Sequence, residues 1–326
     1  MKKIVIGLLV VTLFLLTTMI QDEKDSIIIY SSLEQFRGDA MQEALNKEFP
    51  EKDIRVMYIS TAKSASKISV EKDKNDADIV AALESSYLIK VEEQLADIEG
   101  ISKLNYVDGL TLEDNNNRFV TWERQAGAFV IRQEILDKYG LEAPKTYDDL
   151  LDKKYKGLIA MPDPKSSGTG YFFYKSVVNE RGEEAALTYF RKLEKNIKQF
   201  TESGSGPMKL LIQGEVGIAL SLTFQGVNEI NNNMPFTIIF PEIGSPFSIT
   251  GTALMKRSQD NEDVREVYSY LINEFIKVDK EKFSPEQIFV GQINTIPNYP
   301  KNIPYADMRG IGDIKEKERL LGLWEF

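Results

Sequence analysis

Short apolar runs bounded by turn residues alternate with stretches of 3.6-residue periodicity along the chain, and that alternation predicts an α/β fold. Residues 27–30 and 54–59 read as strands, with Met41, Ala44, Leu45 and Phe49 on one face of the helix between them, a β-α-β unit. Residues 76–82 read as a third, buried strand, and 85–95 as a helix. Residues 119–131 outrun an average strand and carry charge in the middle, so they are predicted to cross between two lobes. Beyond them come helices at 133–139 and from 146, a strand at 158–161, helices at 171–175 and 183–193, and strands at 216–222 and 236–240. Residues 249–255 are expected to cross back. Val264, Val267, Tyr268, Leu271, Ile272 and Phe275 form the clearest helical face, and 315–324 a closing helix.

Length turns this series into two domains, because 326 residues exceed what one core of typical size organises. The expected partition is a first lobe of residues 22–120 plus 255–326 and a second of 121–254. Residues 1–21 stand apart: Met1-Lys2-Lys3 and the apolar run behind them have the build of an export signal. The run is about 17 residues, the lower edge of what spans a bilayer, so cleavage and retention as an anchor both stay open. No cysteine follows it, which leaves lipid anchoring unsupported. The protein is expected outside the cytoplasm.

Composition removes much chemistry. With no Cys and no His, zinc, haem, iron–sulfur and Ser-His-Asp sites are not expected, and no cofactor is implied. A formal charge of -10 leaves no basic excess for a nucleic-acid partner. It does not oppose a small anion, which local N–H groups can hold.

Four hydroxyl-bearing turns each follow an apolar strand or open a helix. They are Ser31-Ser32, Ser60-Thr61, Ser166-Ser167-Gly168-Thr169 and Ser203-Gly204-Ser205. First-turn amides lack acceptors inside a helix and favour negative charge, so these turns are the candidate ligand site. Trp122, Glu123, Arg124 and Gln125 in the crossing segment are further candidates, Trp122 as a face for an organic tail and Arg124 as a fork for an anion; Gln225 is another. Lys63 and Lys165 are candidates for added positive charge. The polar stretch 113–118 lacks the glycine and terminal glutamate of an EF-hand calcium loop. Ser60-Thr61-Ala62-Lys63 and Ser64-Ala65-Ser66-Lys67 fit the S-x-x-K nucleophile motif, but the S-D-N and K-T-G elements of such secreted hydrolases are missing.

Taken in order, Ile29-Tyr30-Ser31-Ser32, Ala77-Asp78-Ile79-Val80, Tyr155-Lys156-Gly157-Leu158-Ile159-Ala160-Met161-Pro162-Asp163-Pro164 ahead of Ser166-Ser167-Gly168-Thr169, Ser203-Gly204-Ser205-Gly206-Pro207 and Gln213-Gly214-Glu215-Val216-Gly217-Ile218-Ala219-Leu220 resemble the extracytoplasmic solute-binding proteins of ABC importers. The matching group binds ferric iron, hexose phosphates, phosphonates and thiamine. The resemblance implies a type II periplasmic-binding-protein fold, two α/β lobes joined by two crossing strands and hinged to close over a solute, with no catalysis. It also implies a monomer that hands its solute to membrane permease subunits. The turns above suit a small anionic solute. Ferric iron is the alternative, but the iron members place adjacent tyrosines just after the strand matching 216–222, where this chain has Ser221-Leu222-Thr223-Phe224-Gln225. Tyr171 and Tyr174 are the tyrosines nearest to a candidate turn.

Overall fold

The computed structural model describes residues 26–107, 110 and 117–326. The signal segment and most of the polar stretch 113–118 lie outside the described residues. One mixed sheet runs through the molecule, its strands ordered 54–58, 27–31, 79–84, 247–254, 120–132, 218–222, 159–162 and 197–201, with 236–239 paired to 120–132. The first three strands are β1 (Ile27–Ser31), β2 (Ile54–Tyr58) and β3 (Ile79–Glu84), parallel to one another. Helices α1 (Gln35–Glu48) and α2 (Thr61–Glu71) provide the crossovers, and α3 (Ser85–Lys90) follows β3. Every residue of β3 is buried, which is why it reads as an unbroken apolar run and not as an alternation.

Strand β4 (Val120–Arg132) is the crossing element. Val120 to Ala126 pair with β9 (Phe247–Leu254), whereas Gly127 to Ile131 pair with β7 (Ile218–Leu222) and Phe129 to Arg132 with β8 (Phe236–Ile239). The partner switch between Ala126 and Gly127 divides the sheet. All of β9 belongs to the first half, where it also pairs with β3. The sheet therefore changes lobe six residues later than the expected boundary at 120/121 on the way out, and before residue 247 on the way back. Backbone pairing, invisible in an apolar run, sets these points.

The second half comprises β5 (Ile159–Pro162) parallel to β6 (Ile197–Thr201) and to β7. Around it lie α4 (Gln133–Asp137), α5 (Gly168–Arg181), α6 (Glu183–Leu193), α7 (Gly206–Ile212) and α8 (Thr223–Asn231). The helix expected from residue 146 is only a 3-10 turn at Asp149–Leu151. There the Asp149 carboxylate accepts the Lys145 and Thr146 amides at 2.8 and 2.9 Å, and Thr146 Oγ1 accepts the Asp149 amide at 3.0 Å. Such local bonds compete with a helix. The periodic face at 264–275 becomes α9 (Glu262–Tyr270), a π-turn Leu271–Phe275, and α10 (Ile276–Lys282), which cover the first half.

The closing helix α11 (Ile314–Leu323) departs from the expected partition, which assigned the whole of 255–326 to the first lobe. Leu320 and Trp324 are fully buried in the second core, with Trp324 packed on Tyr174, Phe190 and Phe200 at centroid distances of 5.0, 5.0 and 5.9 Å. Burying a ring of that size contributes on the order of 3 kcal/mol, enough to decide where the tail docks. Its other face still reaches the first lobe, where Lys317 pairs with Glu84 and Glu318 with Lys90.

Candidate functional site

Between the two halves lies a crevice lined from the first by Ser32, Glu34, Tyr58, Ser60, Thr61, Glu84, Gln125, Ser248 and Thr250, and from the second by Ser166–Thr169 and Glu202–Ser205. All four hydroxyl turns of the sequence reach it. Three helices of eight residues or more begin at its wall: α1 behind Glu34, α2 behind Ser60 and α5 behind Ser167. Ser167 caps α5 by accepting the Gly170 amide at 3.4 Å. Ser32 donates to the Ile59 carbonyl at 3.0 Å, pinning the β1 and β2 ends together, and Ser203 and Ser205 lie 3.3 Å apart. A Cβ on Gly204 would run into Thr169, so the glycine lets the two second-lobe turns pack against each other.

The walls are close. A Cβ on Gly168 would lie 2.6 Å from Glu84 Oε2 and 3.7 Å from Thr61 Oγ1 across the crevice, and Lys63 pairs with Glu202 over its mouth at 3.7 Å. Tyr58 and Ser203 line it from opposite walls.

Other candidates sit elsewhere. Ser31 is buried and its Oγ accepts the Leu33 amide at 3.3 Å. Trp122 is wholly buried in the first core, stacked on Phe275 at 6.1 Å. Arg124 pairs with Glu286 and lies over the Tyr305 ring at 4.0 Å, in a separate groove. Side chains alternate along a strand, so Arg124 and Gln125 face opposite ways, and Gln125 has the crevice. Gln225 accepts from Ser221 Oγ at 2.9 Å and is buried in α8. Lys165 is exposed and absent from the lining. Of the S-x-x-K serines, Ser64 is fully buried and Lys67 is held by Asp76, Glu71 and Tyr30, while Lys63 is taken by Glu202.

The residues that sequence reasoning missed are Glu34, Tyr58, Glu84, Glu202, Ser248 and Thr250. One signal was available: Glu84 is a charge ending the buried strand β3, and ligands in α/β sheets bind beyond the carboxyl ends of strands. A bulge between Val80 and Leu83, with Ala82 at φ 55° and its amide donating to Thr252 Oγ1 at 3.2 Å, ends that strand irregularly.

Each carboxylate of the crevice has a cation beside it, Glu34 only by sharing one. Glu84 is paired with the buried Lys317, whose ammonium burial pulls below its usual range despite that partner. Glu202 has Lys63. Glu34 meets Arg37 Nη1 at 3.2 Å, at the edge of a buried network in which Arg37 Nη2 lies 2.6 Å from both Glu123 and Asp279, and Lys280 lies 3.2 and 2.9 Å from the same two. Burial opposes charge on Glu123, but Arg37 and Lys280 outweigh it and hold its carboxyl at about 2. Asp279 is lowered by the same balance. Glu34 goes the other way: burial, aided by Glu123 and only partly offset by Arg37, pushes it up to about 7.

Two hinged α/β halves with helix starts converging on an interlobe crevice define a solute-binding protein of the type II periplasmic class. The chain belongs to the family of bacterial extracellular solute-binding proteins, whose model matches residues 40–274. An uncharacterised protein of Haemophilus influenzae is 26% identical over 255 residues, 73% of this chain and 70% of that one. Among solved structures, the periplasmic binding protein P5PA aligns over 92% of this chain and 98% of its own at 22% identity and TM-score 0.77. AfuA from Actinobacillus pleuropneumoniae, with exogenous fructose-6-phosphate bound, aligns over 92% and 97% at 20% identity and TM-score 0.74. Iron-bound HitA from Pseudomonas aeruginosa aligns over 91% and 98% at 17% identity and TM-score 0.70. At these identities the structures share the fold. No helix among the described residues is long and apolar enough to cross a membrane.

Proposed function

We propose that the protein captures a small anionic solute, an organic phosphate, phosphonate or carboxylate, outside the cytoplasm and delivers it as a monomer to an ABC permease. Residues 1–21 export it or tether it to the membrane. The observation that carries this reading is the convergence of three helix starts, α1 and α2 from one lobe and α5 from the other, on one hydroxyl-lined crevice. First-turn amides and hydroxyls supply the hydrogen bonds that an anionic head group needs. Glu84 and Glu202 are each paired with a lysine, so neither presents an uncompensated charge to the anion. Closing brings Ser32 and Thr61 against Ser166–Thr169 and Ser203–Ser205, and the closed form is the one the permease engages. AfuA, of the same fold and solved with fructose-6-phosphate, supports a phosphorylated solute.

Ferric binding through Tyr171 and Tyr174 is disfavoured, since both are buried in the second core. Burial raises both phenols, Tyr174 to about 12, away from the tyrosinate that iron requires. Native mass spectrometry of protein from its source, with titration calorimetry against fructose 6-phosphate, inorganic phosphate, thiamine and ferric citrate, tests the reading. A bound organic phosphate is expected. A ferric mass with a visible tyrosinate band overturns it, as does covalent labelling of Ser60 by an ester or penicillin-type probe.

A further inference from the structure

We infer that Glu34 is the proton-carrying group of the crevice: it meets the bound anion as a neutral carboxyl that donates a hydrogen bond, so that each binding event takes up one proton from solvent. The inference rests on the anion reading above and names the residue that makes it pH-dependent.

The geometry comes from a count of buried charges. Arg37 on α1 and Lys280 on α10 are two cations, and they share three carboxylates: Glu123 on β4, Asp279 on α10, and Glu34 at the start of α1. Glu123 and Asp279 each receive Arg37 Nη2 at 2.6 Å and the Lys280 ammonium as well. Glu34 is left with Arg37 Nη1 at 3.2 Å, and that nitrogen also donates to Glu123 Oε1 at 3.2 Å. The network is neutral when Glu34 carries a proton and carries an unbalanced negative charge when it does not. A buried group without a full counter-charge neutralises itself.

Of these carboxylates, only Glu34 lines the crevice. The charged and titratable groups around it there are Tyr58 on β2, whose phenol burial raises, Glu84 with its Lys317, and Glu202 with Lys63. Phe224 of the second lobe covers the Arg37 guanidinium at 5.1 Å, keeping water from the pair. An ionised Glu34 would repel an anion at this wall. A protonated one adds a donor to the amides and hydroxyls, and an anion brought beside it holds the proton more tightly. The position of Glu34 near 7 puts this exchange in the physiological range.

The test is calorimetric titration with fructose 6-phosphate, and with inorganic phosphate as a second probe, at pH 7.5 to 8.5 in buffers of different ionisation enthalpy. The wild type is expected to take up close to one proton per solute and to lose about tenfold in affinity per pH unit above 7. In Glu34→Gln, a fixed neutral donor, the pH dependence and the proton uptake are expected to vanish. The wild-type proton count stands without the variant, should the variant fold poorly. Binding with no proton uptake, or with equal uptake in Glu34→Gln, overturns the role of Glu34 and leaves the anion reading intact. Failure of both probes to bind at any pH overturns the anion reading, and this inference with it.

Discussion

Gly168→Ala separates lobe closure from lobe stability. Gly168 is the first residue of α5, and its backbone is outside the left-handed region, so alanine fits the helix without strain. In the closed arrangement, however, the new Cβ lies 2.6 Å from Glu84 Oε2 and 3.6 Å from Glu84 Cδ, against a comfortable separation of about 3.5–4.0 Å. The carboxylate cannot swing aside cheaply, because Lys317 and Ser86 Oγ, the latter at 2.8 Å, hold it in a buried site. Overpacking of this kind costs about 1–3 kcal/mol. All of it falls on the closed form, since the two atoms belong to opposite walls. Solute affinity is expected to fall roughly 5- to 150-fold, at about 1.4 kcal/mol per decade, and ligand-free small-angle scattering to show a larger radius of gyration. The melting midpoint is expected to hold or rise slightly, alanine being the better helix former. Unchanged fructose 6-phosphate affinity together with an unchanged radius would refute the reasoning and show that Gly168 and Glu84 do not meet when the lobes close.

Lys317→Met leaves Glu84 buried and unpaired, which is expected to cost about 3–5 kcal/mol by chemical denaturation; adding Glu84→Gln should recover most of it, and no recovery would discount the pair. Glu34→Gln should also change stability with pH. A carboxyl raised from 4.5 to about 7 contributes stability that is complete below pH 4.5 and is lost as the pH climbs through 7. The variant should therefore match wild type at pH 4 and exceed it by on the order of 3 kcal/mol at pH 8, measured as unfolding free energy. Glu123 has the opposite sign: with its carboxyl held at about 2, its contribution is present above 4.5 and lost as pH falls toward 2, so Glu123→Gln should blunt acid unfolding below pH 4. Ser167→Ala removes the α5 cap and should cost about 1 kcal/mol of stability along with a several-fold loss of phosphate-probe affinity. Arg124→Lys, by contrast, should leave solute affinity within twofold in the same titration, because Arg124 faces the groove of Glu286 and Tyr305.

The local order of the chain was legible because it follows from short-range physics. Buried strands such as β3 and β7 are continuous apolar runs, helices such as α6 and α9 carry a 3.6-residue stripe, and each hydroxyl turn follows a strand or opens a helix. The hydroxyl turns therefore point to one crevice from the sequence alone. What could not be read were facts created by contact between segments distant in sequence. Trp122 and Arg124 looked available because residue type says nothing of which way a crossing strand faces; packing against Phe275 and pairing with Glu286 removed both from the crevice.

The sequence by itself determined the alternation of strands and helices, the absence of imidazole and thiol chemistry, and which turns could hold an anion, since each depends on residues within a few positions of one another. Only the tertiary structure decided that the closing helix docks on the second lobe, that Glu84 and Lys317, 233 residues apart, stand at the crevice, and that Glu34 is the carboxylate short of a counter-ion. Those outcomes depend on which buried charges and rings meet in space, and burial multiplies the consequence of every such meeting by removing the water that would otherwise screen it.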